Sequence, residues 1–128
     1  MEYEGSIRFS LVEQTPDRVV GEMPIHDGIK NPYGVVHVGA MLWFADILAT
    51  ILVFGSFRPG EKAGKGQKGF PLAITLNSNF TSNQTEGVFK AVASFVKRGK
   101  TVSIVRTCVY GENEKLIADV TTNHILAK

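Results

Sequence analysis

The chain has 128 residues. That length suits one domain, because two would each fall near the lower limit for an independent core. Hydrophobic residues make up 44% and charged residues 20%, the balance of a globular chain and not of a disordered one. Fourteen basic against twelve acidic residues leave +2, too little for a general nucleic-acid binder, and the one cysteine, Cys108, excludes an intramolecular disulfide framework and a cysteine-rich zinc site.

The opening stretch, MEYEGSIRFS, has no basic segment followed by an apolar one. No secretory signal is expected, and a cytoplasmic location follows as the default. Residues 5 to 13 and 18 to 25 read as strands joined at Thr15-Pro16-Asp17, where Pro16 presets φ and Asp17 bonds its own backbone. In the second strand Val19, Gly21, Met23 and Ile25 share a face. Residues 26 to 34, HDGIKNPYG, are a loop by composition.

From Val35 to Gly55 the chain is nearly all apolar, and a helix is expected from about His37 to Phe54. It is apolar on every face, which predicts burial on most sides. A membrane span is the competing reading, and Asp46 in mid-run argues against it. Residues 56 to 69 form a Gly- and Lys-rich loop with Arg58, Lys62, Lys65 and Lys68. Four further strands are expected over 71–80, 87–97, 101–110 and 115–126. The first should carry Leu72, Ile74, Leu76 and Phe80 on one side. The second should set Phe89, Ala91, Ala93 and Phe95 against Val88, Val92 and Val96. Lys97-Arg98-Gly99-Lys100 reads as a tight hairpin. Two strands, one long helix and four strands predict an α+β chain whose antiparallel sheet curls around the helix. One small sheet cannot cover an all-apolar helix, so a homodimer is the natural way to complete the cover.

Asp46 is the residue that most needs explaining. An ionised carboxylate in an apolar helix is costly unless paired or solvated, and no Lys, Arg or His lies three or four residues away. It either faces a solvent-lined groove or serves as a carboxylate base held in a cleft, and the second reading is favoured. His37 begins the helix after a loop holding Asn31 and Gly34. It is either a hydrogen-bonded cap or part of a site in which free N–H groups of the first turn meet an oxyanion. Gly39 would let a ligand approach that turn closely. Nine residues separate His37 from Asp46, which is two and a half turns and about 13 Å along the axis, so the two lie on opposite faces. They can cooperate only between two chains, as in a two-fold dimer with two equivalent sites.

Other constellations are absent. There is no G-x-S-x-G elbow, phosphate loop, dinucleotide fingerprint or H-E-x-x-H. The histidines at 26, 37 and 124 lie far apart in sequence, so no metal site is expected. Cys108, Trp43 and Phe44 read as packing residues.

The run Asn31-Pro32-Tyr33-Gly34-Val35-Val36-His37-Val38-Gly39-Ala40, with Asp46 downstream, resembles the signature of hotdog-fold acyl-CoA thioesterases of the phenylacetate-pathway (PaaI-like) type. That signature is N-x-x-G-x-x-H-G-G followed by an Asp on the helix. Lys97 to Thr101 resembles the family's hairpin between two long strands, and the likeness runs from about Pro16 to the C-terminus. It implies a hotdog fold over a single domain, 1–128, with dimers that pair into tetramers. It also implies hydrolysis of an acyl-CoA substrate with no cofactor, CoA being part of the substrate, and no membrane or nucleic-acid partner. By position, Asp46 matches the carboxylate that activates water or attacks the carbonyl, and the Val38 N–H matches the oxyanion donor on the other subunit. Asn31 matches the amide that orients water or substrate, and His37 the histidine that supports the loop.

Two positions depart from the signature. Val38 stands where the pattern has Gly, keeping the N–H but stiffening the backbone. Ala73 stands where the family often has Ser or Thr, so that either Thr75, two residues on, substitutes or that aid is missing. Gly39 and Thr75 are thus expected at the substrate, and Arg98, Lys100 and the 58–68 loop along the CoA phosphates. Two rivals remain: a non-catalytic acyl-CoA binding module, made credible by Val38 and Ala73, and a hotdog-fold hydratase or dehydratase, which needs an acid–base pair.

Overall fold

The computed structural model describes residues 1–55 and 71–126, with the side chain of residue 126 left aside. The basic loop expected at 56–69 lies outside the described residues. Six strands and one long helix follow the expected order: β1 (Ser10–Gln14), β2 (Arg18–Pro24), α1 (Val38–Phe54), β3 (Pro71–Phe80), β4 (Val88–Lys97), β5 (Val102–Tyr110) and β6 (Leu116–Leu126). All pairings are antiparallel, and the strands lie in one sheet in the order β1-β2-β4-β5-β6-β3. The sheet packs around α1, which is the hotdog arrangement.

Periodicity explains the packing. The β2 positions Val19, Gly21 and Met23 and the β4 positions Phe89, Ala91 and Ala93 are buried against the helix face formed by Ala40, Met41, Phe44, Ala45, Leu48 and Leu52. Gly21 sets the closeness of approach. A Cβ there would lie 2.8 Å from Phe44 Cε1 and 3.1 Å from Leu48 Cδ2, closer than a side chain tolerates.

Cover of the helix is incomplete. Trp43, Ile47 and Thr50, spaced four and three residues apart, form a strip that the sheet leaves partly open. β3 is the sheet's edge beyond β6, and Leu72, Ile74, Leu76 and Phe80 along it are each more than 40% exposed.

Two expectations need correction. The first strand is shorter than residues 5–13. Residues before Ser10 are held differently, by a hydrogen bond from Ser6 N to Gly28 O and by Phe9 stacked on Trp43 and Phe44 with ring centroids 5.2 and 5.0 Å away. The side chains of β3 also do not alternate from end to end. Its pairing with β6 slips between Ala73 and Thr75, so Ala73 opposes His124 while Thr75 opposes Asn123, leaving Ile74 as an extra residue. Leu72 therefore faces away from the helix, whereas Leu76 and Phe80, opposite buried Thr122 and Ala118, face toward it.

Candidate active site

Loop geometry prepares the start of α1. His37 N donates to Ile29 O at 2.9 Å, Lys30 bridges Val36, and Asn83 Nδ2 donates to Val36 O at 2.8 Å from across the fold. Asn31 organises the turn between. Its Oδ1 accepts from Tyr33 N at 2.9 Å and Val35 N at 3.4 Å, and Gly34, at φ 84°, takes the left-handed conformation that closes it. Asn31 thus works here as a loop staple, and Asn83 is a second staple that sequence patterns did not reveal.

His37 is the N-cap. Its Nδ1 accepts from Ala40 N at 3.0 Å, so that nitrogen carries the lone pair. Gly39 belongs to this cap, because a Cβ there would sit 3.1 Å from His37 Nδ1. The N–H groups of Val38 and Gly39 have no acceptor among the described residues, and both residues are exposed. Two free donors thus stand side by side at the positive end of the helix dipole, where an oxyanion is favoured.

Asp46 lies two turns further on, half-buried, with no cation paired to it among the described residues. It opens into a groove of about 540 Å³ lined by Asp46, Ile47, Thr50 and Ile51 of α1 and by Pro71, Leu72 and Ala73 of β3. Asp46 is the charged member of an otherwise mostly apolar lining. Val38 and Gly39 do not reach this groove, so one chain does not unite the carboxylate with the free N–H pair.

The remaining positions are placed elsewhere. Thr75 is not at the groove: its Oγ1 accepts from Asn123 Nδ2 at 2.5 Å, on the sheet face opposite His124, because the bulge turned it outward. Arg98 is tied to the β1–β2 turn by hydrogen bonds to Pro16 O and to Asp17 Oδ1, the latter at 3.2 Å, with its guanidinium 4.3 Å from the centre of the Phe95 ring. Lys100 is exposed in the adjoining hairpin. Cys108 lies beside Asp119, which Arg106 holds through two bonds of 2.9 and 2.7 Å; that pairing keeps the Asp119 carboxyl below its ordinary range. Phe44 is core, whereas Trp43 is 39% exposed.

A second residue missed in the sequence is His124. It is 1% exposed, with Nε2 2.8 Å from Thr122 Oγ1 and Nδ1 without a partner among the described residues. Burial lowers its pKa and the charge of Asp46 opposes that shift. The signal was a period of two: His124 is in phase with Ala118, Val120 and Thr122, all buried.

No protein-family model matches the chain. Among curated proteins it is 28% identical over 112 residues to the candidate esterase ComA2 of Bacillus subtilis (strain 168), covering 88% of this chain and 83% of that one. It is 21% identical over 117 residues to the 1,4-dihydroxy-2-naphthoyl-CoA hydrolase of Listeria monocytogenes serotype 1/2a (strain 10403S), covering 91% and 89%. Among solved structures, a mutant thioesterase from Staphylococcus aureus subsp. aureus Mu50 superposes with a TM-score of 0.82 at 22% identity, over 94% of this chain and 93% of that one. A hypothetical thioesterase from Streptococcus pneumoniae TIGR4, solved with coenzyme A, gives 0.80 at 13% identity, over 94% and 86%. At these identities the structural likeness establishes the shared fold.

Proposed function

We propose that the protein is an acyl-CoA thioesterase that works as a dimer. The observation that carries this reading is the half-buried Asp46, unpaired among the described residues, in an apolar groove on the same helix as two N–H groups that have no acceptor among those residues and do not line the groove. The hydrolase and thioesterase names of the similar proteins agree with it.

In the proposed reaction the acyl part lies along the groove, and the thioester carbonyl meets the Val38 N–H, assisted by that of Gly39, at the first turn of a second copy's helix. Those dipoles stabilise the oxyanion as it forms. Asp46 of the first copy deprotonates a water that attacks the carbonyl, or attacks directly to give a mixed anhydride that water then cleaves. Either route ends in a carboxylic acid and free CoA. His37 and Asn31 hold the donor loop in shape. The β3 edge and the open strip of α1 supply the surface on which the second copy docks: unpaired backbone flanked by Leu72, Ile74, Leu76 and Phe80 is a template for strand addition.

Thiol release measured over short, long and aryl CoA esters tests this. Asp46→Asn removes the base while preserving shape, and should lower kcat by about 10² or more on the best ester. Full activity in that variant removes Asp46 from the mechanism.

A further inference from the structure

We propose that His124 is a positioning residue of the Asp46 groove, its Nδ1 kept open for the carboxylate or for the water that the carboxylate holds. This rests on the thioesterase reading for its chemistry, although its geometry does not. A buried polar atom without a partner is costly, so a ring nitrogen left bare inside a well-packed core calls for an occupant. Four observations define where that occupant comes from.

First, His124 is almost fully buried, yet among the described residues only one of its nitrogens has a partner, Nε2 at 2.8 Å from Thr122 Oγ1. Second, its direct cross-strand neighbour on β3 is Ala73, which lines the Asp46 groove. Paired residues in an antiparallel sheet share a face, so the ring stands beside that lining on the helix side. Third, the neighbour is alanine, whose single methyl leaves the space over the ring unfilled by a longer side chain. Fourth, the charge of Asp46 acts on the ring, opposing the lowering of its pKa by burial. On the other flank the β5 partner is Ser103, whose hydroxyl is occupied with the Gly99 backbone.

Thr122 fixes the ring plane from behind through Nε2. With the Thr122 hydroxyl donating to Nε2, the ring proton sits on Nδ1, where it can be donated to an anion or to a water bound to one. His124 then orients the carboxylate without taking part in proton transfer.

Two substitutions separate the nitrogens. In His124→Gln the amide stands where Nε2 was, so the Thr122 partner is kept and the Nδ1 function is lost. In His124→Asn the amide stands where Nδ1 was, and Thr122 loses its partner. The expected result is a kcat lower by roughly tenfold or more in the Gln variant with KM little changed, since small misplacements at a reacting group are costly. The Asn variant, even if less stable, should keep most of kcat. Equal kcat in the two variants, or an effect confined to KM, overturns the proposal. A readout independent of turnover is the 15N NMR titration of the His124 ring in the wild-type protein and in Asp46→Asn. Removal of the carboxylate should lower the ring's pKa further and perturb Nδ1 more than Nε2. Coincident titrations overturn the proposal. If the wild-type protein cleaves no ester but the titrations differ, the thioesterase reading fails and the link between His124 and Asp46 stands.

Discussion

Three histidines do two kinds of work at the scale of single residues. His26 and His37 each accept a backbone N–H through Nδ1 at a turn or helix start, at 3.1 and 3.0 Å. His124 is enclosed among Thr122, Ser103 and the helix. Its enclosure has a thermodynamic sign. Burial depresses its pKa from the ordinary 6.5, so between that value and the lowered one the unfolded chain binds a proton that the folded chain refuses. The stabilising contribution of the neutral ring is complete above pH 6.5 and is lost as pH falls toward the folded-state pKa. Urea midpoints at pH 7.5 and 5.5 should therefore drop more for the wild-type protein than for His124→Asn, and an equal drop in both would contradict the burial argument. Asp46 was legible from sequence because a charge in an unbroken apolar run has few explanations. His124 was not, because its period-two phase with Ala118, Val120 and Thr122 marks it as inward-facing but does not say that Ala73 and the Asp46 groove lie beside it until the strands are aligned.

At the scale of elements, the helix and the sheet meet through Gly21, where β2 touches Phe44 and Leu48. Gly21→Ala should force those side chains off their rotamers and cost about 1–3 kcal/mol, read as a lower denaturant midpoint with an unchanged slope. A neutral substitution would mean that the core yields more easily than its packing suggests. Most of this level could be read in advance. Alternating burial in β4 and the buried face Val19, Gly21 and Met23 of β2 followed from period-two patterns, although Val20 between them is buried too, and the ends of α1 from His37 and Gly55, which lies at φ 84° with its N–H on Ile51 O. β3 defeated the same logic twice. Its bulge has no marker in the sequence, and its exposed Leu72, Ile74 and Leu76 look like core residues because apolar alternation does not say what covers a strand. The displaced Thr75 belongs to the same failure, since its side of the sheet depended on an irregularity that only pairing reveals.

At the scale of the whole molecule, the separation of Asp46 from the free N–H pair makes a hydrolytic site a property of two chains. Val38→Pro isolates the donor. Position 38 opens the helix, where proline is well accommodated, and His37 already has ψ 148°, the extended conformation that a following proline demands. The N–H is deleted and the helix should survive, with kcat expected to fall by about 10²–10³. Mixing Asp46→Asn with Val38→Pro and allowing subunits to exchange should then restore activity. Each mixed dimer regains one intact site out of two, giving about a quarter of all sites at statistical exchange. Two variants that stay inactive after proven exchange would rule out a shared site.

The bulge in β3 also acts as a half-step in phase. The same strand paired without the bulge, with Ile74 opposite Asn123, would carry Leu76, Ser78 and Phe80 to the outside and give their inner places to Thr75, Asn77 and Asn79. One supernumerary residue therefore decides whether the rim beyond Asp46 is greasy or watery, and with it whether a hydrocarbon tail would find shelter there.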